Sequence, residues 1–61
     1  MPFINVKILE KRIDPQHKDL LIAKLTDAVV ETYGEEIRDH VWIVLEPIPA
    51  ERWGIGGKPV S

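Results

Sequence analysis

The chain has 61 residues, 44% apolar and 30% charged, with a net charge of −2 and no cysteine. That length supports one domain over residues 1–61, and the lack of cysteine excludes disulfides and thiolate metal sites, while His17 and His40 have no clustered ligand partners. Mixed charge argues against nucleic-acid binding, and the apolar runs fall far short of the roughly 20 residues that span a bilayer.

The first stretch, Met1 to Glu10, reads as a strand that begins at once. Ile4, Val6 and Ile8 alternate against Phe3, Asn5, Lys7 and Leu9, a period-2 pattern with apolar residues on both faces. No basic-then-apolar secretion signal precedes it, so a cytoplasmic protein is expected. Proline follows the start methionine. Removal of Met1 leaves Pro2 with a secondary amine, and an α-amino group titrates near neutrality, at about 7.7–8.0. Held in a pocket, that amine is a candidate base; otherwise Pro2 is an ordinary residue at a strand start, where proline is tolerated.

Glu10 to Ile13 is a polar connection, and Arg12 sits just past the strand end, where loops commonly present functional groups. The alternative is a surface arginine paired with Glu10 or Asp14. Asp14-Pro15 opens a helix by an acidic N-cap and a proline in the first turn. The helix is expected over Pro15–Tyr33, with Gly34 as its left-handed terminator. Leu21, Leu25, Ala28, Val29 and Thr32 form the expected buried stripe, widened by Ile22, while Lys18, Lys24, Asp27 and Glu31 face outward. His17, in the first turn, reads as solvated.

Glu35 to Asp39 is expected as a polar loop, and Val41–Leu45 as a second strand covered on both faces, with His40 placed to open it. One helix between two strands gives a right-handed βαβ unit with parallel strands. Pro47 and Pro49 are expected to end the second strand. The tail from Glu51 to Gly57 carries turn chemistry, with Trp53 ahead of glycines 54, 56 and 57, and reads as a compact hairpin. Its glycines follow no strand and open no helix, so they do not make a phosphate-binding loop. Trp53 is either a subunit-interface anchor or a pocket wall. Two strands are too few for a stable sheet, and a chain this size buries only about 60% of its unfolded surface. Pairing with a second copy answers both problems, giving an α+β assembly with a four-stranded sheet and two helices on one face.

Pro2 after the start methionine, Ile8-Leu9-Glu10 followed by Arg12, the Asp14 helix start, Glu46 after an apolar strand, and Trp53-Gly54-Ile55-Gly56-Gly57 together resemble the 4-oxalocrotonate tautomerase family. The likeness covers nearly the whole chain. It implies a homo-oligomer, usually a hexamer built as a trimer of dimers. It also implies cofactor-independent enol–keto tautomerisation of a small unsaturated 2-oxo acid or dicarboxylate such as 2-hydroxymuconate, in aromatic compound catabolism. On this resemblance Pro2 is the general base, Arg12 binds the substrate carboxylate and draws electron density toward it, and Trp53 forms part of the pocket wall.

One departure stands out. Well-known members carry a second arginine in the second strand, where this chain has Val41. Arg38, His40 and Arg52 are the neighbouring candidates to replace it. Alignment also needs single-residue insertions around His17 and in the Pro47–Arg52 segment. Two other readings remain open. One is a hydratase or dehalogenase that activates water with Glu10 or Glu46. The other is a non-catalytic oligomeric binding module, which retention of Met1 would favour because an acylated proline nitrogen has no basic lone pair.

Overall fold

The computed structural model describes residues 2–60. Strand β1 (Phe3–Leu9) leads through a single 3-10 turn (Glu10–Arg12) into helix α1 (Pro15–Tyr33). A second 3-10 segment (Glu35–His40) delivers the chain to β2 (Trp42–Ile48), and a third (Ala50–Arg52) to a small hairpin, β3 (Gly54–Ile55) and β4 (Lys58–Pro59). Strands β1 and β2 are parallel, from Phe3 opposite Trp42 to Leu9 opposite Ile48. The βαβ unit, its parallel sheet and the C-terminal hairpin are those expected.

Each boundary has a local cause. Asp14 caps α1 with its carboxylate, accepting the His17 N–H at 2.9 Å, and Pro15 stands in the first turn, where its missing donor is harmless. Gly34 ends the helix at φ 111° and ψ 158°, with its N–H donating to Val30 O at 2.7 Å. The positive φ is as expected, but ψ is extended rather than left-handed helical, a region that only glycine occupies comfortably. At the hairpin, Gly56 and Gly57 both have positive φ, 61° and 87°, as a two-residue turn with the hand of twisted strands requires.

The second strand differs from its expected bounds. His40 closes the 3-10 segment and Val41 follows it, so the strand starts at Trp42. It also runs through Pro47 to Ile48, and only then does Pro49 turn the chain. The Trp42 N–H donates to Pro2 O at 3.0 Å. In a parallel ladder N–H groups alternate sides, so residues 42, 44, 46 and 48 direct theirs toward β1. Position 47 would direct its N–H outward, so proline there costs no bond of the ladder.

Helix α1 covers the face bearing Ile4, Val6, Ile8, Ile43 and Leu45, all half-buried. On the helix, Leu21, Leu25 and Val29 turn inward as expected, but Ala28 and Thr32 are exposed. Val30, outside the expected stripe, is the one buried apolar residue among those described, at 7% exposure. The contact face drifts toward Val30 because the last turns pack against the Glu35–His40 segment as well as β2. There Arg38 reaches back to Asp27 at 2.9 Å and grips Glu35 at 2.7 Å.

The opposite sheet face carries Phe3 and Trp42 side by side, 60% and 56% exposed. The chain alone exposes 4847 Å², against about 4,000 Å² for a compact protein of its mass. Its radius of gyration is 14.2 Å, against roughly 10.5 Å for a compact 61-residue chain. The fold is therefore an open slab, with one face covered and the other bare.

Candidate active site

Pro2 lies half-buried at the N-terminal end of β1, anchored by the Trp42 N–H on its carbonyl. Expected removal of Met1 lies outside the described residues. Arg12 ends the 3-10 turn at the other end of β1. Six residue steps of strand separate those ends, on the order of 20 Å. One chain therefore does not bring Pro2 and Arg12 to the same small substrate.

Arg12 lines an open groove of about 670 Å³ between the helix start and the strand ends. Its apolar floor includes Ile8, Ile13, Leu21 and Leu45, and its rim carries Lys11, Lys18 and Lys24. The ion pairs expected of a surface arginine are not formed: among the described residues no carboxylate lies within salt-bridge distance of Arg12. His17 is exposed, as expected, but it also lines this groove and is bonded through its ring. Its Nδ1 lies 2.9 Å and 2.8 Å from the two oxygens of Asp14. The ring contact and the His17 backbone N–H hold the Asp14 carboxyl below its ordinary value.

Trp53 is half-buried and forms a second, shallower groove with Lys7, Ile48, Arg52 and Gly54. The Val60 N–H donates to its carbonyl at 2.7 Å, tying the end of the hairpin to the tryptophan. Trp53 therefore sits at the Arg12 end of the sheet, but it shares its groove with Lys7, which belongs to the face that the helix leaves uncovered.

The candidates for replacing a strand arginine separate clearly. Arg38 is held by two carboxylates, and those hydrogen bonds raise its pKa further above the ordinary value. His40 belongs to the 3-10 segment, so strand alternation from Val41 does not define where it points. Arg52 makes no ion pair among the described residues and stands beside Trp53.

The sequence reading missed a polar trio on the bare face. Lys7 Nζ donates to Glu46 Oε1 at 2.9 Å and to Asn5 Oδ1 at 3.2 Å. The signal lay in the register, which sets Lys7 opposite Glu46. Lys7 lowers the Glu46 pKa through that hydrogen bond. A carboxylate so engaged is a poorer base for activating water, which disfavours Glu46 but leaves Glu10 as the other candidate of the hydratase reading. No three His, Asp or Glu side chains converge on a metal-binding cluster among the described residues.

Comparison with known proteins agrees with this architecture. The model of the tautomerase enzyme family matches residues 2–61. A probable tautomerase of Dickeya dadantii is 33% identical over 61 residues, covering 100% of this chain and 90% of its own length. Another, from Ralstonia nicotianae, is 39% identical, covering 100% of this chain and 84% of its own. Among solved structures, TomN, a 4-oxalocrotonate tautomerase homologue of the tomaymycin biosynthetic pathway, superposes with a TM-score of 0.88. It is 39% identical and covers 97% of this chain and 88% of its own. A 4-oxalocrotonate tautomerase isozyme from Methylibium petroleiphilum gives a TM-score of 0.86 at 30% identity, over 97% of this chain and 92% of its own. The βαβ slab with its C-terminal hairpin defines a tautomerase-superfamily enzyme. This chain belongs to the tautomerase family.

Proposed function

We propose that the protein is a cofactor-independent enol–keto tautomerase of a small unsaturated 2-hydroxy or 2-oxo acid, of which 2-hydroxymuconate is the type. The observation that carries the reading is Arg12: a guanidinium without an ionic partner among the described residues, over an apolar floor, suited to grip a carboxylate with two charge-assisted hydrogen bonds. Pro2, freed of Met1, is the base that moves the proton between the enol oxygen and carbon. In a site shared between copies, Arg12 of a second copy beside Pro2 would disfavour its ammonium form and help keep it unprotonated near neutral pH. In a site assembled from several copies, Trp53 would supply a wall that excludes water, with Arg52 beside it as the second positive charge.

The separation of Pro2 from Arg12 supports a site shared between copies of the chain. Two-fold pairing along the open edge of β1 is antiparallel, so it sets the Pro2 end of one copy beside the Arg12 end of the other. The open edge of β2 is the poorer choice, because Pro47 offers no donor there. Such a dimer has four strands with both helices on one face, and the bare face with Phe3 and Trp42 suits stacking of dimers into a hexamer.

Steady-state kinetics of 2-hydroxymuconate ketonisation test the reading. Arg12→Ala should raise KM and lower kcat, for a loss of roughly 10- to 100-fold in kcat/KM, the worth of a charge-assisted hydrogen bond or two. Pro2→Ala should slow turnover without abolishing it, since a primary amine remains. Wild-type kinetics in either variant would remove that residue from the mechanism.

A further inference from the structure

The charge lining the Arg12 groove is mainly positive. Four of its lining side chains, Lys11, Arg12, Lys18 and Lys24, are cationic, and Asp14 is its one acidic residue. Asp14 stands two residues after Arg12, close enough in the chain to be its natural ionic partner. An Asp14–Arg12 pair would occupy the fork that a substrate carboxylate needs. The structure shows a different arrangement. Asp14 Oδ1 accepts the His17 backbone N–H at 2.9 Å, and the His17 ring Nδ1 lies 2.9 Å from Oδ1 and 2.8 Å from Oδ2. Both carboxylate oxygens are thereby turned toward the helix, and Arg12 stays unpaired among the described residues.

We infer that His17 is a positioning residue for substrate binding: by holding the Asp14 carboxylate at the helix cap, it stops that carboxylate from occupying Arg12. The inference rests on the proposed carboxylate-binding role of Arg12. Capping alone does not need the ring, because the backbone N–H of His17 already satisfies the N-cap. The imidazole adds a second tether to the acid. Without it, Asp14 retains one hydrogen bond and a free oxygen, and a solvent-exposed pair with Arg12 becomes competitive. A pair of ordinary exposed strength would block Arg12 for most of the time, weakening an anionic ligand roughly two- to six-fold.

The test is a double-mutant cycle on the assembled protein, read as the Kd of cis,cis-muconate by calorimetry at fixed salt. This probe is an unreactive dicarboxylate of substrate length. His17→Ala should weaken binding by that two- to six-fold factor. Asp14→Ser keeps a capping oxygen but removes the competing charge; in that background His17→Ala should change nothing. His17→Asn, which keeps a donor near the Nδ1 position, should bind as the wild type does. An equal loss with and without the Asp14 carboxylate, or no loss in either, overturns the inference. An Arg12→Ala control distinguishes the two levels. If it binds muconate as the wild type does, the role of Arg12 falls and this inference with it; if it binds weakly while the His17 cycle is flat, only the inference falls.

Discussion

At the scale of single residues, the informative contrast is between cations that are paired and cations that are not. Arg38 is committed to Asp27 and Glu35, Lys7 to Glu46, and Lys18 to Asp19, while Arg12 and Arg52 have no such partner among the described residues. The paired ones belong to folding and should report in stability. The hydrogen bond from Arg38 holds the Glu35 carboxyl below its ordinary 4.5. A depressed carboxylate pKa stabilises the fold fully above the ordinary value and progressively less as pH falls through the folded one. Arg38→Ala should therefore melt below the wild type at neutral pH, and the gap should narrow as pH falls below about 4.5. Thermal melts at several pH values check this; a gap that widens in acid would contradict it. None of these pairings was legible in the chain. Asp27 and Arg38 lie eleven residues apart, and His17 gave no hint that its ring would turn to the cap.

At the scale of elements, the legible parts were those with two independent local signals. β1 has alternation from Phe3 and a polar stop after Leu9, and α1 has Asp14-Pro15 at one end and Gly34 at the other. Where a single signal had to serve, the reading slipped. Proline alone suggested that β2 stops at Pro47, because the side on which its missing N–H falls is a property of the register. The helix stripe slipped for a related reason: Leu20 and Ile22 spread apolar residues around α1, so spacing alone did not single out the inward face. Gly34 gives an element-scale prediction. An added Cβ would lie 2.6 Å from Glu36 Oε1, on a backbone at φ +111°. Gly34→Ala should cost about 1–3 kcal/mol. Most of that cost should persist in a Gly34→Ala, Glu36→Ala double variant, since the flexible carboxylate is the smaller obstacle. Denaturant midpoints at fixed protein concentration decide it, and full recovery in the double variant would show that the clash, not the backbone, was the cause.

At the scale of the whole molecule, the open geometry of the single chain supports the proposed assembly. Its 4847 Å² of exposed surface and extents of 43 × 24 × 14 Å leave almost no interior. So small an interior supports the proposal that folding is coupled to assembly. Melting temperature and activity should both fall on dilution, as mass action requires when folding is coupled to assembly. Sedimentation should show a particle several times the 7.0 kDa chain. A charge placed among the bare aromatics, as in Trp42→Arg, should reduce assembly and activity together; a fully active monomer would contradict the shared site. The expectation of assembly came from length and the missing cysteines, and the bare sheet face agrees with it. The proposed division of Pro2 and Arg12 between copies was not legible there, because it follows from their placement at opposite ends of β1.

The central claim is that a free N-terminal proline performs the chemistry. It is tested most directly by intact mass on protein purified from its native host, paired with an ultraviolet assay of 2-hydroxymuconate ketonisation on the same sample. The account predicts a mass short of one methionine and rapid ketonisation that is lost when the N-terminus is acetylated. A protein that retains Met1 and still ketonises the substrate, or one that lacks Met1 and is indifferent to acetylation, would contradict it.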